Sequence, residues 1–248
     1  MSTDTKSAEK AKLAHECWSC GAMRAAHFCE SCGRVQPPVP TDYFSFFGLP
    51  RKLNIDPKQL ECEFYAMSRK LHPDLYVRAV DQEQSWSLEK SSQLNDAYRT
   101  LKDPVTRTEY LLKLEGVNIE EQSKTATETA RAAGTQKKQM VPPALLEEVF
   151  ELNMQLEEAR MNKKMGEDDP SLKTELADTR RRLDSKFNAL AAELQRDWDE
   201  WDAVIARAES GEIVDTERTA VRDKMVDLVN RRSYIRNLVR DLNEVLGN

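Results

Sequence analysis

The sequence predicts an all-α protein, and three observations carry that expectation. Glycine is scarce at 8 of 248 residues, and aromatics make up 7%. Runs of β-branched residues, which favour strands, are few. Apolar residues instead recur at helical spacing behind recognisable start and stop signals.

Charged residues make up 32% of the chain and mean hydropathy is −0.68. No uncharged apolar stretch approaches the roughly 20 residues that span a bilayer, so no membrane role is expected. The net charge of −6 argues against nucleic-acid binding, because neutralising phosphate takes a surplus of Lys and Arg. The opening "MSTDTKSAEKAKLAHEC" lacks a secretory apolar core, and with acidic residues and no Arg it fits a mitochondrial presequence poorly. A reducing, cytoplasmic location is the expectation.

Composition divides the chain. Residues 1–16 read as a polar, disordered tail. Residues 17–33 hold four of the five cysteines, followed by the rigid "VQPPVP". Residues 41–116 read as short helices with tight turns. The Thr/Ala/Lys-rich stretch over 117–141 reads as a linker, and 142–248 as long helices.

In the 41–116 region, "DPKQLECEFYAMSRKL" has Asp56 to cap a helix, Pro57 at its first position and Gln59 to complete something like a capping box. Leu60, Phe64, Met67 and Leu71 line one face, from which Cys62 points away as an ordinary thiol. The helix should end near His72, since Pro73 disfavours helical angles at the residue before it. A second helix through "EQSWSLEKSSQLNDAYRTLKD" presents Leu94, Ala97, Tyr98 and Leu101, and stops at Asp103-Pro104. Two antiparallel helices joined by a loop holding His-Pro-Asp follow, with "DYFSFFGL" closing a small core. His72-Pro73-Asp74 could be a plain connector, a catalytic His-Asp pair or a docking tip. No nucleophile motif or phosphate loop accompanies it, which weighs against catalysis. A connector leaves the neighbouring cations Arg69 and Lys70 unexplained.

The cysteines fall as Cys17-x-x-Cys20 and Cys29-x-x-Cys32, each pair followed by a glycine. Four thiolates at this spacing can surround one tetrahedral Zn²⁺, with iron as the rival occupant. Disulfides conflict with a reducing compartment, and a thioredoxin-type site needs a βαβ context. Four sulfurs leave His15 and His27 no vacancy, so the site is closed and structural or partner-binding rather than catalytic.

The last region begins with a helix carrying two apolar stripes. Leu145, Val149, Leu152, Leu156 and Ala159 form one; Leu146, Phe150, Met154 and Met161 fall opposite. Two further helices supply partners through Leu172, Leu176, Leu183, Leu190 and Leu194, and through Val221, Met225, Leu228, Ile235 and Leu242. Three helices need one stripe each to form a core. The surplus stripe is either buried against a second neighbour or exposed for a partner.

"DYFSFFGLP", "RKLHPDLY", "NDAYRTLKDP" and "RTEYLLKLEG" together resemble, in order and spacing, the J-domain of HscB-type co-chaperones of iron–sulfur cluster biogenesis. The resemblance is dense through Gly116 and thin beyond it. It implies a J-domain helical hairpin and a C-terminal three-helix bundle. It further implies that His72, Pro73 and Asp74 dock on the ATPase domain of a DnaK-class (HscA-like) chaperone and stimulate its ATP hydrolysis. Arg69 and Lys70 would then face an acidic surface, and the chain is not itself an enzyme. The bundle would bind an IscU-type scaffold through Leu146, Phe150 and Tyr234. Cys17, Cys20, Cys29 and Cys32 resemble the tetracysteine knuckle of the eukaryotic form, which would make the compartment the mitochondrial matrix. Two rivals are a general J-domain chaperone for unfolded clients and a redox protein using the cysteines. Whether the chain forms a homodimer is left open.

Overall fold

A computed structural model describes residues 16–22, 27–117, 145–166 and 169–246. Apart from Glu16 and Val117, the expected tail and linker lie outside these residues. Among the described residues the fold is helical, with an isolated antiparallel bridge between Phe28 and Val35. None of the described helices is long and apolar enough to cross a membrane. The chain forms two compact units, Met1–Arg107 and Thr108–Asn248.

In the first unit, α1 (Tyr43–Phe46) is capped by Asp42, whose carboxylate accepts from the Ser45 amide at 3.0 Å and is paired with Arg51 at 2.9 Å. Helix α2 spans Pro57–Leu71, with Asp56 accepting the Lys58 amide at 2.9 Å and Pro57 at the first position. It stops where the His-Pro step requires, and Pro73–Tyr76 make one 3₁₀ turn. Helix α3 runs Asp81–Lys102, with Asp81 and Glu83 in its first turn, where the helix dipole favours carboxylates. Asp103-Pro104 ends α3 and starts α4 (Pro104–Leu114): Asp103 takes an extended conformation and its carboxylate accepts from the Thr106 amide at 2.7 Å.

Leu71, Leu94, Ala97, Phe46 and Val35 form one buried cluster, with Phe28, Phe64, Met67, Tyr76 and Trp86 packed around it. The expected α2–α3 hairpin is thus present, closed by α1 and by residues of the cysteine segment.

The division between units falls within α4, so Thr108 onward belongs to the second. There the Trp198 indole N–H donates to the Thr108 hydroxyl at 3.0 Å, Glu115 pairs with Arg218, and Leu111 and Leu112 are fully buried. Helices α5 (Leu146–Met165), α6 (Pro170–Glu209) and α7 (Asp215–Leu246) complete the unit. Asp169 caps α6 by accepting from the Ser171 and Leu172 amides, with Pro170 behind it. At 40 residues α6 is about 60 Å long. It packs along α7, and α5 lies against both.

Every expected α6 and α7 core residue is buried. So are Trp198, Trp201, Val204, Val229 and Leu238, which lie beyond the expected stripes.

One expectation needs correction. Tyr234, expected off the core stripe of its helix, is only 8% exposed and belongs to the core. Helix α7 packs along the length of α6 and also meets α5, and its buried arc takes in Val229 and Leu238 beside the expected stripe. Tyr234, four residues before Leu238, falls inside that arc.

Candidate functional site

Three sites expected from sequence take shape. The first is the turn after α2. A helix end leaves carbonyls without intrahelical donors, and here other elements supply them. The Ser87 and Ser91 hydroxyls of α3 donate to the Leu71 carbonyl at 2.7 and 2.8 Å, and the Tyr76 hydroxyl donates to Lys70 O at 3.0 Å. The Leu75 amide donates to His72 O at 3.0 Å, closing the turn. The base of the turn is therefore fixed, while its tip projects: the His72 side chain is 57% exposed and that of Asp74 84%.

The Asp74 amide donates to His72 Nδ1 at 3.3 Å, so Nδ1 is engaged within the turn. Arg69 and Lys70 lie exposed in the last turn of α2, where cations complement the dipole. Lys70 Nζ stands 6.0 Å from the centre of the Phe28 ring.

The second site is the cysteine cluster. Cys17 and Cys29 are buried, Cys20 and Cys32 exposed, and all four sulfurs lie within 4.8 Å of one another. Cys17–Cys32 and Cys20–Cys29 are 3.7 and 3.6 Å apart. Tetrahedral coordination at about 2.3 Å per bond sets sulfurs roughly 3.8 Å apart, so the cradle fits a tetrathiolate ion.

The two halves are built alike. Gly21 and Gly33 sit at φ of 69° and 70°, which glycine tolerates, and their amides donate to the carbonyls of Cys17 and Cys29. Burial raises the Cys17 pKa, but the Cys20 and Ser19 amides and the Gln36 side chain outweigh it and bring the thiol down to about 6. At Cys32 the Arg34 amide lowers the pKa, yet burial and the neighbouring cysteines push it up to about 12. Four thiolates this close repel one another, and a bound cation would relieve that repulsion. The fully buried Gln36 donates to Cys17 Sγ at 3.3 Å.

His27 stays outside the cluster: its Nε2–H donates to Phe46 O at 2.8 Å. Burial pushes its pKa below the usual histidine value, the Phe46 carbonyl opposes this, and the Lys90 charge adds to the lowering. Cys62 is exposed, as expected.

The third site is α5. Leu145, Val149, Leu152 and Leu156 are buried, whereas Leu146, Phe150, Met154, Met161 and also Met165 are exposed. The surplus stripe is not packed within its unit. Tyr234, buried in the core, does not extend it. Sequence reasoning missed Met165, though its i+4 spacing from Met161 was a signal. It also missed the hydroxyls that hold the turn, for which spacing gives no sign.

No protein-family model matches the chain. An iron–sulfur cluster co-chaperone HscB homolog of Arabidopsis thaliana is 38% identical over 144 residues, 58% of this chain and 51% of that one. The chain therefore spans about half the length of that relative. The human co-chaperone HscB crystal structure superposes with a TM-score of 0.54 at 21% identity, covering 92% of this chain and 97% of that one, which establishes a shared fold. The mouse iron–sulfur cluster co-chaperone HscB is 32% identical over 181 residues, 71% of each chain. With so much of both sequences aligned at that identity, the chain belongs to the family of HscB iron–sulfur cluster co-chaperones.

Proposed function

We propose that the protein is a J-type co-chaperone that brings an IscU-type scaffold, loaded with an iron–sulfur cluster, to a DnaK-class ATPase and stimulates that partner's ATP hydrolysis. The observation that carries this reading is a surplus apolar stripe left uncovered on α5, on a chain that also projects an exposed His-Pro-Asp turn. A contiguous apolar patch in water is unfavourable unless a partner covers it.

His72, Pro73 and Asp74 dock on the ATPase, and Arg69 and Lys70 steer it through an acidic face. Such steering acts mainly on the association rate and weakens with salt. Leu146 and Phe150 anchor the scaffold, with Met154, Met161 and Met165 as adaptable apolar surface around them. Cys17, Cys20, Cys29 and Cys32 hold Zn²⁺, which when bound supplies a structural cross-link. The turn positions and orients, and the phosphate chemistry belongs to the partner.

The test is His72→Gln, which should abolish stimulation of the DnaK-class ATPase while scaffold affinity stays at the wild-type value. Equal stimulation by variant and wild type would refute the docking assignment.

A further inference from the structure

We propose that the cysteine knuckle is a structural part of the hairpin that carries the His-Pro-Asp turn, so that metal loading sets how firmly that turn is held. The inference rests on reading the four cysteines as a metal site and the turn as the docking tip.

The second knuckle is a miniature hairpin. Phe28 directly precedes Cys29, Val35 follows Cys32 by three residues, and the two form an antiparallel bridge. The Cys29 amide donates to Arg34 O and the Gln36 amide to His27 O, both at 2.9 Å. Both bridged residues point into the hairpin core. Val35 has no exposed surface and shares one cluster with Leu71, the last residue of α2, while Phe28 packs against that cluster. Phe28 also lies beneath Lys70, one of the two cations beside the turn.

Polar and aromatic contacts fasten the same segment elsewhere. His27 donates to the Phe46 carbonyl and sets its ring 4.4 Å from that of Phe46. The Trp18 indole N–H donates to Val35 O at 2.8 Å, and its ring meets Trp86 of α3 edge-on at 5.5 Å. Arg34 reaches Glu83, a buried carboxylate of α3, at 3.4 Å.

A short two-stranded hairpin is at best marginally stable alone. In small tetrathiolate folds the metal bond supplies the folding energy. Here the metal would bind at the turns of both knuckles, while Phe28 and Val35, which flank the second, make the core contacts. Losing it would free Phe28 and Val35 to leave the core and uncover Leu71 and Phe46. The turn would keep its own residues but lose the support beneath α2.

The experiment compares the full chain, reduced and metal-loaded, with the same chain stripped by a chelator under reducing conditions. Metal content, peptide hydrogen exchange and ATPase stimulation are followed together. Stripping should speed exchange across 60–76 at least about tenfold, the change expected from about 1.4 kcal/mol of lost local stability. Exchange across 172–204 in the other unit should stay unchanged. The chain concentration giving half-maximal stimulation should rise.

Val35→Ala retains all four cysteines. It should hold a full equivalent of metal and still exchange faster across 60–76, with a higher half-maximal concentration. A chain that loads one metal yet exchanges at the same rate after losing it would overturn the coupling while leaving the metal site intact. A chain that binds no metal would overturn both.

Discussion

Leu146→Ala combined with Phe150→Ala is the most informative perturbation of the bundle. Fully burying a Leu or Phe side chain is worth about 1.5–3 kcal/mol. Leu146 is 54% exposed and Phe150 70% exposed, so a partner could cover roughly half of one side chain and two-thirds of the other. That amounts to about 1 kcal/mol for the leucine and about 1–2 kcal/mol for the phenylalanine. Ordering and imperfect fit at the interface reduce the sum. The double variant should then bind scaffold about 1.4–2.8 kcal/mol more weakly, roughly ten- to a hundredfold in Kd.

The same exposure predicts what does not change. Neither side chain fills the core, and alanine favours a helix over phenylalanine by about 0.5 kcal/mol, so the melting temperature should hold or rise slightly. Leu152→Ala, two residues beyond Phe150 on the buried stripe, should instead destabilise the bundle by about 2–5 kcal/mol. Isothermal titration against a cluster-loaded scaffold, with circular-dichroism melts alongside, reads both effects. Unchanged affinity in the double variant, or a melting loss matching that of Leu152→Ala, would refute the assignment of the stripe to a partner.

Other perturbations separate the remaining parts. Ser87→Ala with Ser91→Ala strips the Leu71 carbonyl of both hydroxyl donors, and should cost the first unit about 1–3 kcal/mol in urea unfolding. Lys70→Ala should raise the half-maximal concentration for ATPase stimulation at low salt, with the difference shrinking as salt rises. At Asp42, burial raises the carboxyl pKa, but the Ser45 amide and Arg51 outweigh it and leave it below the ordinary 3.8. Its stabilising effect is therefore complete at neutral pH and is lost as pH falls through that lowered value. Asp42→Ala should lower stability by about 1 kcal/mol at pH 7, with the difference closing in acid.

How far the sequence spoke depended on whether a feature was local. Asp56, Pro57 and the His-Pro step set both ends of α2 within a few residues, and the structure has them there. Asp103-Pro104 likewise ended one helix, and it started the next as well. The four cysteines were equally plain, because a Cys-x-x-Cys knuckle needs little beyond its own glycine turn. The two stripes of α5 were visible as spacing, but which one stays uncovered depends on how many helices pack on α5. Tyr234 shows the same limit from the other side: the long α6–α7 contact buries a wider arc of α7 than its expected stripe.

Non-local contacts were hidden more completely. Val35 read as part of a rigid spacer, yet it is among the most buried residues, because the knuckle folds back onto the hairpin. Val35 and Phe28 flank Cys29 and Cys32 as apolar residues, a pattern that could have raised the question without answering it. Ser87 and Ser91 sit at i,i+4 on α3, a spacing that marks a shared face without revealing that a helix end lies opposite. The second half of α4 joins the other compact unit through the Trp198–Thr108 hydrogen bond, which spans 90 residues.

The most direct test of the account is complementation between defective chains. The ATPase rate of a DnaK-class partner is measured with scaffold present, using wild-type chain, His72→Gln, the Leu146→Ala/Phe150→Ala variant, and an equimolar mixture of the two variants. If one molecule must hold the scaffold and present the turn, the mixture should fall well short of wild type. A mixture restoring the wild-type rate would contradict the claim that the two surfaces work together on a single chain.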